Sequence, residues 1–170
     1  MIGQGSFGTV VKAQNRATRK YVAIKLLEGF NKTTYSARKV LREVQILSKM
    51  SELDTNIFTS KLVDLIIPEG EGEIDHLFIV MPLGTMDLKT FLDSSSIEAM
   101  KEEHMITFLY NLLCSLSYIH SMDVIHRDIK PANILIDEQC GVSICDFGLA
   151  RALPKQSEIE TDIETTRGRG

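Results

Sequence analysis

The sequence has no excess of basic residues. Its 19 Lys and Arg are outnumbered by 23 Asp and Glu, which gives a formal net charge of -4. A protein without an overall basic field is not expected to have nucleic acid as its main partner, and a polybasic contact with a membrane surface is equally unexpected. Any site for an anion must therefore be local.

Cysteine is scarce. The three cysteines, Cys114, Cys140 and Cys145, are an odd number, and they show neither the spacing of a metal site nor a disulfide-dense frame. This usage is typical of a reducing compartment. We expect buried thiols without a chemical role.

A long apolar run is also absent. The longest, residues 105–119, is interrupted by Asn111, Ser115 and Ser117 and is too short to span a bilayer, so it predicts a core helix. The first residues, MIGQGSFG, lack the basic head and apolar run of a secretory signal. We therefore expect an intracellular protein of the cytoplasm, with the nucleus as an additional compartment.

What is present is a chain of 170 residues, 44% apolar and 25% charged, as in one ordinary folded domain. Short β-branched runs predict strands at residues 9–14, 19–27, 62–68 and 76–82, with an amphipathic helix over 36–50.

From Pro82 onward we predict a short helix over 88–92, a serine-rich loop and a long helix over 104–121. The pattern indicates an α+β fold with a crevice between two lobes that meet near residues 81–85. After Arg151 no periodicity remains, which predicts a loop.

Gly3, Gly5 and Gly8 form a G-x-G-x-x-G pattern, in which backbone without side chains can approach phosphates closely. A dinucleotide-binding fold would require a helix to follow, whereas TVVKA alternates like a strand. The pattern therefore predicts a glycine-rich hairpin that covers a bound ligand. A simple flexible turn is the alternative.

Lys25 ends a VAIK strand among apolar neighbours, and an enclosed ammonium needs an anionic partner. Glu43 lies at the edge of the apolar stripe of the predicted helix, so its carboxylate can face the sheet. Two alternatives remain open: Lys25 as an exposed edge charge, and Glu43 in a surface pair with Lys39.

Two polar clusters, RDIKPAN and CDFG, flank a short apolar hairpin formed by residues 134–136 and 142–145. The hairpin should bring Asn133 and Asp146 together as a hard-oxygen site suited to Mg²⁺. Asp128 is near enough to orient a hydroxyl, and Lys130 can neutralise phosphate charge. Each of these residues alone could equally be a solvated loop charge.

In their order, GQGSFG, VAIK, HRDIKPAN and DFG resemble the motifs of the eukaryotic protein kinases. The resemblance implies that ATP and Mg²⁺ bind between the lobes. It places Gly3, Gly5 and Gly8 over the phosphates, and Lys25, braced by Glu43, on the α and β phosphates. Around the adenine it implies Val10, Ala23, Met81, Leu83 and Leu135. Asp128 would take the substrate hydroxyl proton, Lys130 would stabilise the transferred group, and Asn133 and Asp146 would hold the metal.

A lysine at position 130 resembles the pattern of the serine/threonine kinases. The segments LREVQIL and ICDFGLAR resemble the mitogen-activated protein kinases. This resemblance implies protein substrates and an upstream activating kinase. Thr161 falls where that family has a phosphorylated threonine, but Ile163 replaces its tyrosine. On this basis we divide the chain into a small lobe (1–81), a hinge (82–86), the start of a large lobe (87–151) and part of an activation segment (152–170).

The match stops after Thr166 and Arg167, so we expect a truncated kinase, either part of a longer protein or a short product. The alternative to a working kinase is a module that binds nucleotide or a protein partner without phosphorylating substrate.

Overall fold

The computed structural model describes residues 1–5, 8–68 and 74–153. In this part of the chain, the N-terminal half forms an antiparallel sheet of five strands in the order β1-β2-β3-β5-β4. The strands are β1 (Gly3–Gly5), β2 (Gly8–Gln14), β3 (Tyr21–Glu28), β4 (Asp64–Ile66) and β5 (His76–Pro82). In β3 every second residue, namely Ala23, Lys25 and Leu27, is buried. One face of the sheet therefore belongs to the interior.

Helix α1 (Thr34–Ser51) packs on that sheet. It begins two residues before the predicted start, because Thr33 acts as its N-cap and accepts a hydrogen bond from the N–H of Ser36 at 3.1 Å. Its buried residues are Glu43, Ile46, Leu47 and Met50. The helical spacing of these four residues explains how one face can bury both the apolar stripe and a carboxylate.

The second half contains helices α2 (Leu88–Leu92) and α3 (Glu102–Ser121) and five short strands. Strands β6 (Met86–Asp87), β8 (Ile134–Ile136) and β9 (Val142–Ile144) form one small sheet, and β7 (Val124–Ile125) pairs with β10 (Arg151–Ala152). Asp87 caps α2 by accepting from the N–H of Thr90 at 2.9 Å. The predicted bounds of α2 and β5 agree with the structure, and the α+β fold class is confirmed.

Three predictions about local structure were wrong. The strand predicted over 62–68 is only Asp64–Ile66, and at the predicted start the N–H of Leu62 donates to the Ser51 hydroxyl at 2.7 Å. The serine-rich loop contains a 3-10 helix, Ser95–Ala99, and β10 lies at the start of the stretch expected to be a loop. The segment from residue 154 to residue 170 lies outside the described residues.

An apolar core of the described residues joins the sheet, α1 and α3. Phe147, Ile79, Ile119 and Ile144 are fully buried within it beside the apolar residues of α1. The three cysteines are free thiols and partly buried, less enclosed than expected. Within the described ranges, no helix has the length and apolar character needed to cross a membrane.

Candidate active site

Lys25 is the centre of a buried ionic network. Its Nζ donates to Glu43 Oε1 at 2.6 Å and to Asp146 Oδ1 at 2.9 Å. The Lys25 and Glu43 side chains are only 8% and 4% exposed, whereas Asp146 is 30% exposed. Because β3 lies between β2 and β5, the edge-charge alternative for Lys25 is excluded. The predicted pair with Glu43 is present, and the bond to Asp146 was not foreseen.

Burial and charge act in opposite directions on this network. Burial tends to lower the pKa of Lys25, but the adjacent carboxylates of Glu43 and Asp146 outweigh it and hold the pKa above its ordinary value. For Glu43 burial is the larger effect and raises the pKa, although Lys25 opposes it. Lys25 is therefore a firmly charged ammonium, held in place by two acidic groups from distant parts of the chain.

Asp128 is the centre of a second polar group. Its Oδ2 accepts from Lys130 Nζ at 2.8 Å and from Asn133 Nδ2 at 3.0 Å. Asn133 Nδ2 also donates to the Asp128 carbonyl at 2.9 Å. The hydrogen bond from Lys130 is the main reason why the pKa of Asp128 is lowered. Asp128 is therefore an ionised acceptor at neutral pH, and Asn133 holds it in place.

His126 and Arg127 support this group and were not selected from the sequence as site residues. His126 is 2% exposed, and its Nε2 lies 2.9 Å from the carbonyl oxygen of Cys145. Arg127 has a left-handed backbone, with φ 66°, and its Nε donates to the Leu149 carbonyl at 2.7 Å. Their position beside Asp128 in the HRD triplet was the available signal. Both link the Asp128 segment to the segment that contains Asp146.

The β8–β9 hairpin brings the two polar groups together. Its register pairs Ile134 with Ile144, and the N–H of Cys145 donates to the Asn133 carbonyl at 3.0 Å. The prediction that Asn133 faces Asp146 directly was therefore wrong by one position. Asp146 follows in a left-handed conformation, φ 63° and ψ 73°, and its carboxylate reaches Lys25. The burial of Cys145 raises its thiol pKa to about 12, so it is a protonated thiol here.

The three glycines occupy the end of the β1–β2 hairpin. Gly3 pairs with Val10 and Gly5 with Gly8, while the intervening Ser6 and Phe7 lie outside the described residues. Gly8 has φ 140°, and a Cβ there would clash with the Leu26 carbonyl oxygen. This position therefore requires glycine.

The residues expected around an adenine lie in two groups. Strand register places Val10, Ala23 and Met81 on the same face of the sheet as Lys25. Leu83, directly after β5, and Leu135, in β8, line a cavity of about 220 Å³ together with Gly84. A Cβ on Gly84 would lie 2.6 Å from Leu135 Cδ1, so these two segments are in close contact.

A second cavity, of about 330 Å³, is lined by residues that include Gly8, Glu43 and Gly148. Neither cavity is lined by Lys25 or Asp146. The side-chain network defines the site better than the cavities do, because it contains Lys25 and Asp146.

Asn133 and Asp146 fit a divalent ion that takes only some of its ligands from the protein. Both donor hydrogens of the Asn133 amide are directed at Asp128, which orients its Oδ1 away from that residue. Asp146 offers Oδ2 in addition to the oxygen that Lys25 contacts. Within the described ranges no group of three or more His, Cys, Asp or Glu side chains could hold a metal. The donor set therefore suits Mg²⁺ with water and phosphate oxygens completing its shell.

Comparison with known proteins agrees with this arrangement. Residues 1–168 match the family model described as "Protein kinase domain". The chain is 37% identical over 166 residues to the mitogen-activated protein kinase homolog NTF6 of Nicotiana tabacum, covering 98% of this chain and 43% of that protein. It is 37% identical to mitogen-activated protein kinase 6 of Arabidopsis thaliana, covering 98% of this chain and 40% of the relative.

Mitogen-activated protein kinase 13 of Arabidopsis thaliana is 38% identical, with 98% of this chain and 44% of that protein covered. The chain thus spans about two fifths of the length of the curated relatives it matches. The family match covers both polar groups and the glycine hairpin, and so the chain belongs to the protein kinase domain family.

Proposed function

We propose that this chain carries the catalytic groups of an ATP-dependent protein serine/threonine kinase of the mitogen-activated type. The supporting observation is the hydrogen bond from Cys145 to the Asn133 carbonyl, which joins the Lys25–Glu43–Asp146 network to the Asp128 group. The reaction is transfer of the γ-phosphoryl group of Mg-ATP to serine or threonine hydroxyls of proteins.

Nucleotide binding is assigned to the sheet and the segment after it. The backbone of Gly3, Gly5 and Gly8 offers N–H groups to phosphates, and Lys25 supplies positive charge beside them. Val10, Ala23 and Met81 on the face shared with Lys25 would contact the adenine from one side, and Leu83 and Leu135 would contact it from the other. We assign Glu43 to keeping the Lys25 ammonium extended towards the nucleotide.

The transfer step depends on positioning and on charge neutralisation. Asp128, ionised and held by Asn133, orients the attacking hydroxyl and accepts its proton. Lys130, whose ammonium lies 2.8 Å from Asp128, is placed to stabilise negative charge on the transferred group. Asn133 and Asp146 would hold Mg²⁺, which when bound neutralises charge on the phosphate oxygens.

We also propose the lobe boundaries given by the sequence: a small lobe over 1–81, a hinge over 82–86, the start of a large lobe over 87–151 and part of an activation segment over 152–170. The passage from β5, which ends at Pro82, to β6, which begins at Met86, supports the position of the hinge.

Protein substrates and an upstream activating kinase are the proposed partners. Thr161 and Ile163 lie outside the described residues.

The test uses the purified chain of 170 residues in two assays. A thermal-shift assay with Mg-ATP measures nucleotide binding, and transfer of labelled phosphate to a generic basic protein measures activity. Asp146→Ala is the control, because it removes one metal ligand and one partner of Lys25. If the unchanged chain transfers phosphate and Asp146→Ala does not, the proposal is supported. If transfer is unchanged in Asp146→Ala, the proposal is contradicted.

A module that binds nucleotide or a protein partner without transfer is the second candidate. It is favoured by an apolar face of α3 that is exposed in this structure, formed by Met105, Ile106, Leu109, Tyr110 and Leu113. A thermal shift with Mg-ATP and no phosphate transfer would support this second function for the chain alone.

A further inference from the structure

A lysine outside both polar groups joins the C-terminal ends of two helices. Lys49 lies in the last turn of α1, and its Nζ donates to the carbonyl oxygen of Met122 at 2.6 Å. The two residues are 73 positions apart, and the bond is partly buried. Met122 is the C-cap of α3, so this bond fastens the end of α1 to the end of α3.

The local electrostatics favour a cation at this point. The last carbonyls of a helix have no intrahelical partners and carry partial negative charge. Lys49 is the basic residue of the last turn of α1, and it also reaches the C-cap carbonyl of α3. Its ammonium therefore interacts favourably with the negative ends of two helices at once.

The turn that Lys49 holds is a junction of three segments. Asp123 has φ 54°, and its N–H donates to the His120 carbonyl at 3.0 Å. Its carbonyl accepts from the N–H of Leu153 at 2.7 Å, directly after β10. The chain then enters β7 (Val124–Ile125) and continues to Asp128. The position of this turn therefore influences where the Asp128 segment begins.

Lys49 is also on the same rigid element as Glu43. The two residues are six positions apart on α1, which is about 9 Å along the helix axis. Beyond α1, backbone bonds attach the chain to β9: the N–H of Ser60 donates to Ile144 and the N–H of Ile144 to Phe58, both at 2.9 Å. The bond from Lys49 to Met122 adds a side-chain attachment between α1 and the C-terminal end of α3.

We propose that Lys49 is a positioning residue for phosphoryl transfer. By holding α1 against the 122–123 turn, it keeps Glu43 in place beside Lys25 and in fixed relation to the Asp128 segment. Lys49 acts only through Glu43 and contacts no substrate. This inference rests on the proposed kinase function and deepens it.

The first experiment measures the affinity for Mg-ATP by calorimetry. Lys49→Met keeps the aliphatic stem and removes the donor, and it should weaken binding about three- to tenfold. Lys49→Arg restores a charged donor and should bind within about twofold of the unchanged chain. Arg38→Met is the matched control, because it removes one positive charge from an exposed residue of the same helix. Equal losses in the Lys49→Met and Arg38→Met variants would overturn the proposal.

A double-mutant cycle tests whether Lys49 acts through Glu43. In a Glu43→Gln background, Lys49→Met should weaken Mg-ATP binding no further, because the residue through which it acts is already lost. A full, additive loss in that background would show that Lys49 supports the fold in another way, and the positioning role would be rejected.

Hydrogen exchange separates this inference from the proposed function, because it needs no nucleotide. Amides 42–47 of α1 should exchange several-fold faster in Lys49→Met than in the unchanged chain, Lys49→Arg or Arg38→Met. Unchanged exchange there overturns the proposal, whether or not the chain binds Mg-ATP. If Lys49→Met does not fold, Lys49→Leu, which also lacks a donor, is measured in its place against the same expectation.

Discussion

The N–H of Cys145 donates to the carbonyl oxygen of Asn133 at 3.0 Å, between two segments that each carry half of the candidate site. The residue before Cys145 lies in β9 and the residue after Asn133 lies in β8, so the bond extends the β8–β9 ladder by one step. The relation between the Asp128 group and Asp146 is therefore set by backbone, and flexible side chains need not establish it.

Replacing Glu43 with glutamine should destabilise the chain. The change leaves the buried Lys25 ammonium with Asp146 as its remaining carboxylate among the described contacts. We expect the free energy of unfolding in urea to fall by about 2 kcal/mol, since a buried cation has lost one of its charged partners. Gln45→Ala, at an exposed position of the same helix, should change it by less than about 0.5 kcal/mol. An effect of Glu43→Gln no larger than that control would contradict the importance of the pair.

Replacing Asp128 with asparagine should separate binding from chemistry. The substitution keeps the shape of the side chain but removes the ionised oxygen that Lys130 and Asn133 hold. We expect phosphate transfer to fall by about a hundredfold or more, with Mg-ATP affinity within a few-fold of the unchanged chain. Asp93→Asn, an exposed residue after α2, provides the control. Retention of near-full transfer in Asp128→Asn would remove this residue from the proposed chemistry.

The motif glycines should differ in their tolerance of alanine. At Gly8 a Cβ would meet the Leu26 carbonyl oxygen, and the backbone has φ 140°. At Gly3 the nearest atom to a Cβ would be Val10 Cβ at 3.8 Å, an ordinary contact. Gly8→Ala should therefore lower the free energy of unfolding by about 1–3 kcal/mol, whereas Gly3→Ala should change it little. Thermal unfolding of the two variants provides the comparison, and similar losses of stability in both would refute it.

Stability should decline in mild acid because of His126. The N–H of Asp128 donates to its Nδ1 at 3.3 Å, and its Nε2 is the donor to Cys145, so the folded state holds a neutral ring. Burial lowers the pKa of His126, and the unfolded chain therefore takes up a proton first, near pH 6.5. As the pH falls from 7 to 5.5, the free energy of unfolding should drop by up to about 1 kcal/mol from this residue.

The measurement is urea unfolding of the unchanged chain and His126→Gln at both pH values. Carboxylates elsewhere titrate in both proteins, so the difference between them isolates the histidine. If both lose the same amount of stability between pH 7 and 5.5, His126 is not the source.

The sequence was sufficient for the parts of the site that follow from local pattern. A short β-branched run identified the β3 strand that carries Lys25, and helical spacing placed Glu43 towards the sheet. The register of the hairpin could not be predicted to the residue. It depends on a turn in which Cys140 has φ 60° and Asp137 Oδ1 accepts from the N–H groups of Gln139 and Gly141.

The contacts that sequence reasoning missed are those between residues far apart in the chain. Neither the Lys25–Asp146 ion pair nor the bond from Lys49 to Met122 leaves a mark in spacing or periodicity, because each depends on how complete elements dock. The assigned roles of the site residues remain predictions that the variants above will test.

The ion pair between Lys25 and Asp146 joins positions 121 residues apart. Much of the five-stranded sheet closes through nearby hairpins, whose loops cost little entropy, and it can form early. The second acid beside Lys25 arrives only when the chain has been synthesised as far as residue 146. Until residue 146 has been translated, the Lys25 ammonium of a ribosome-bound chain has Glu43, but not yet Asp146, available as an acidic neighbour.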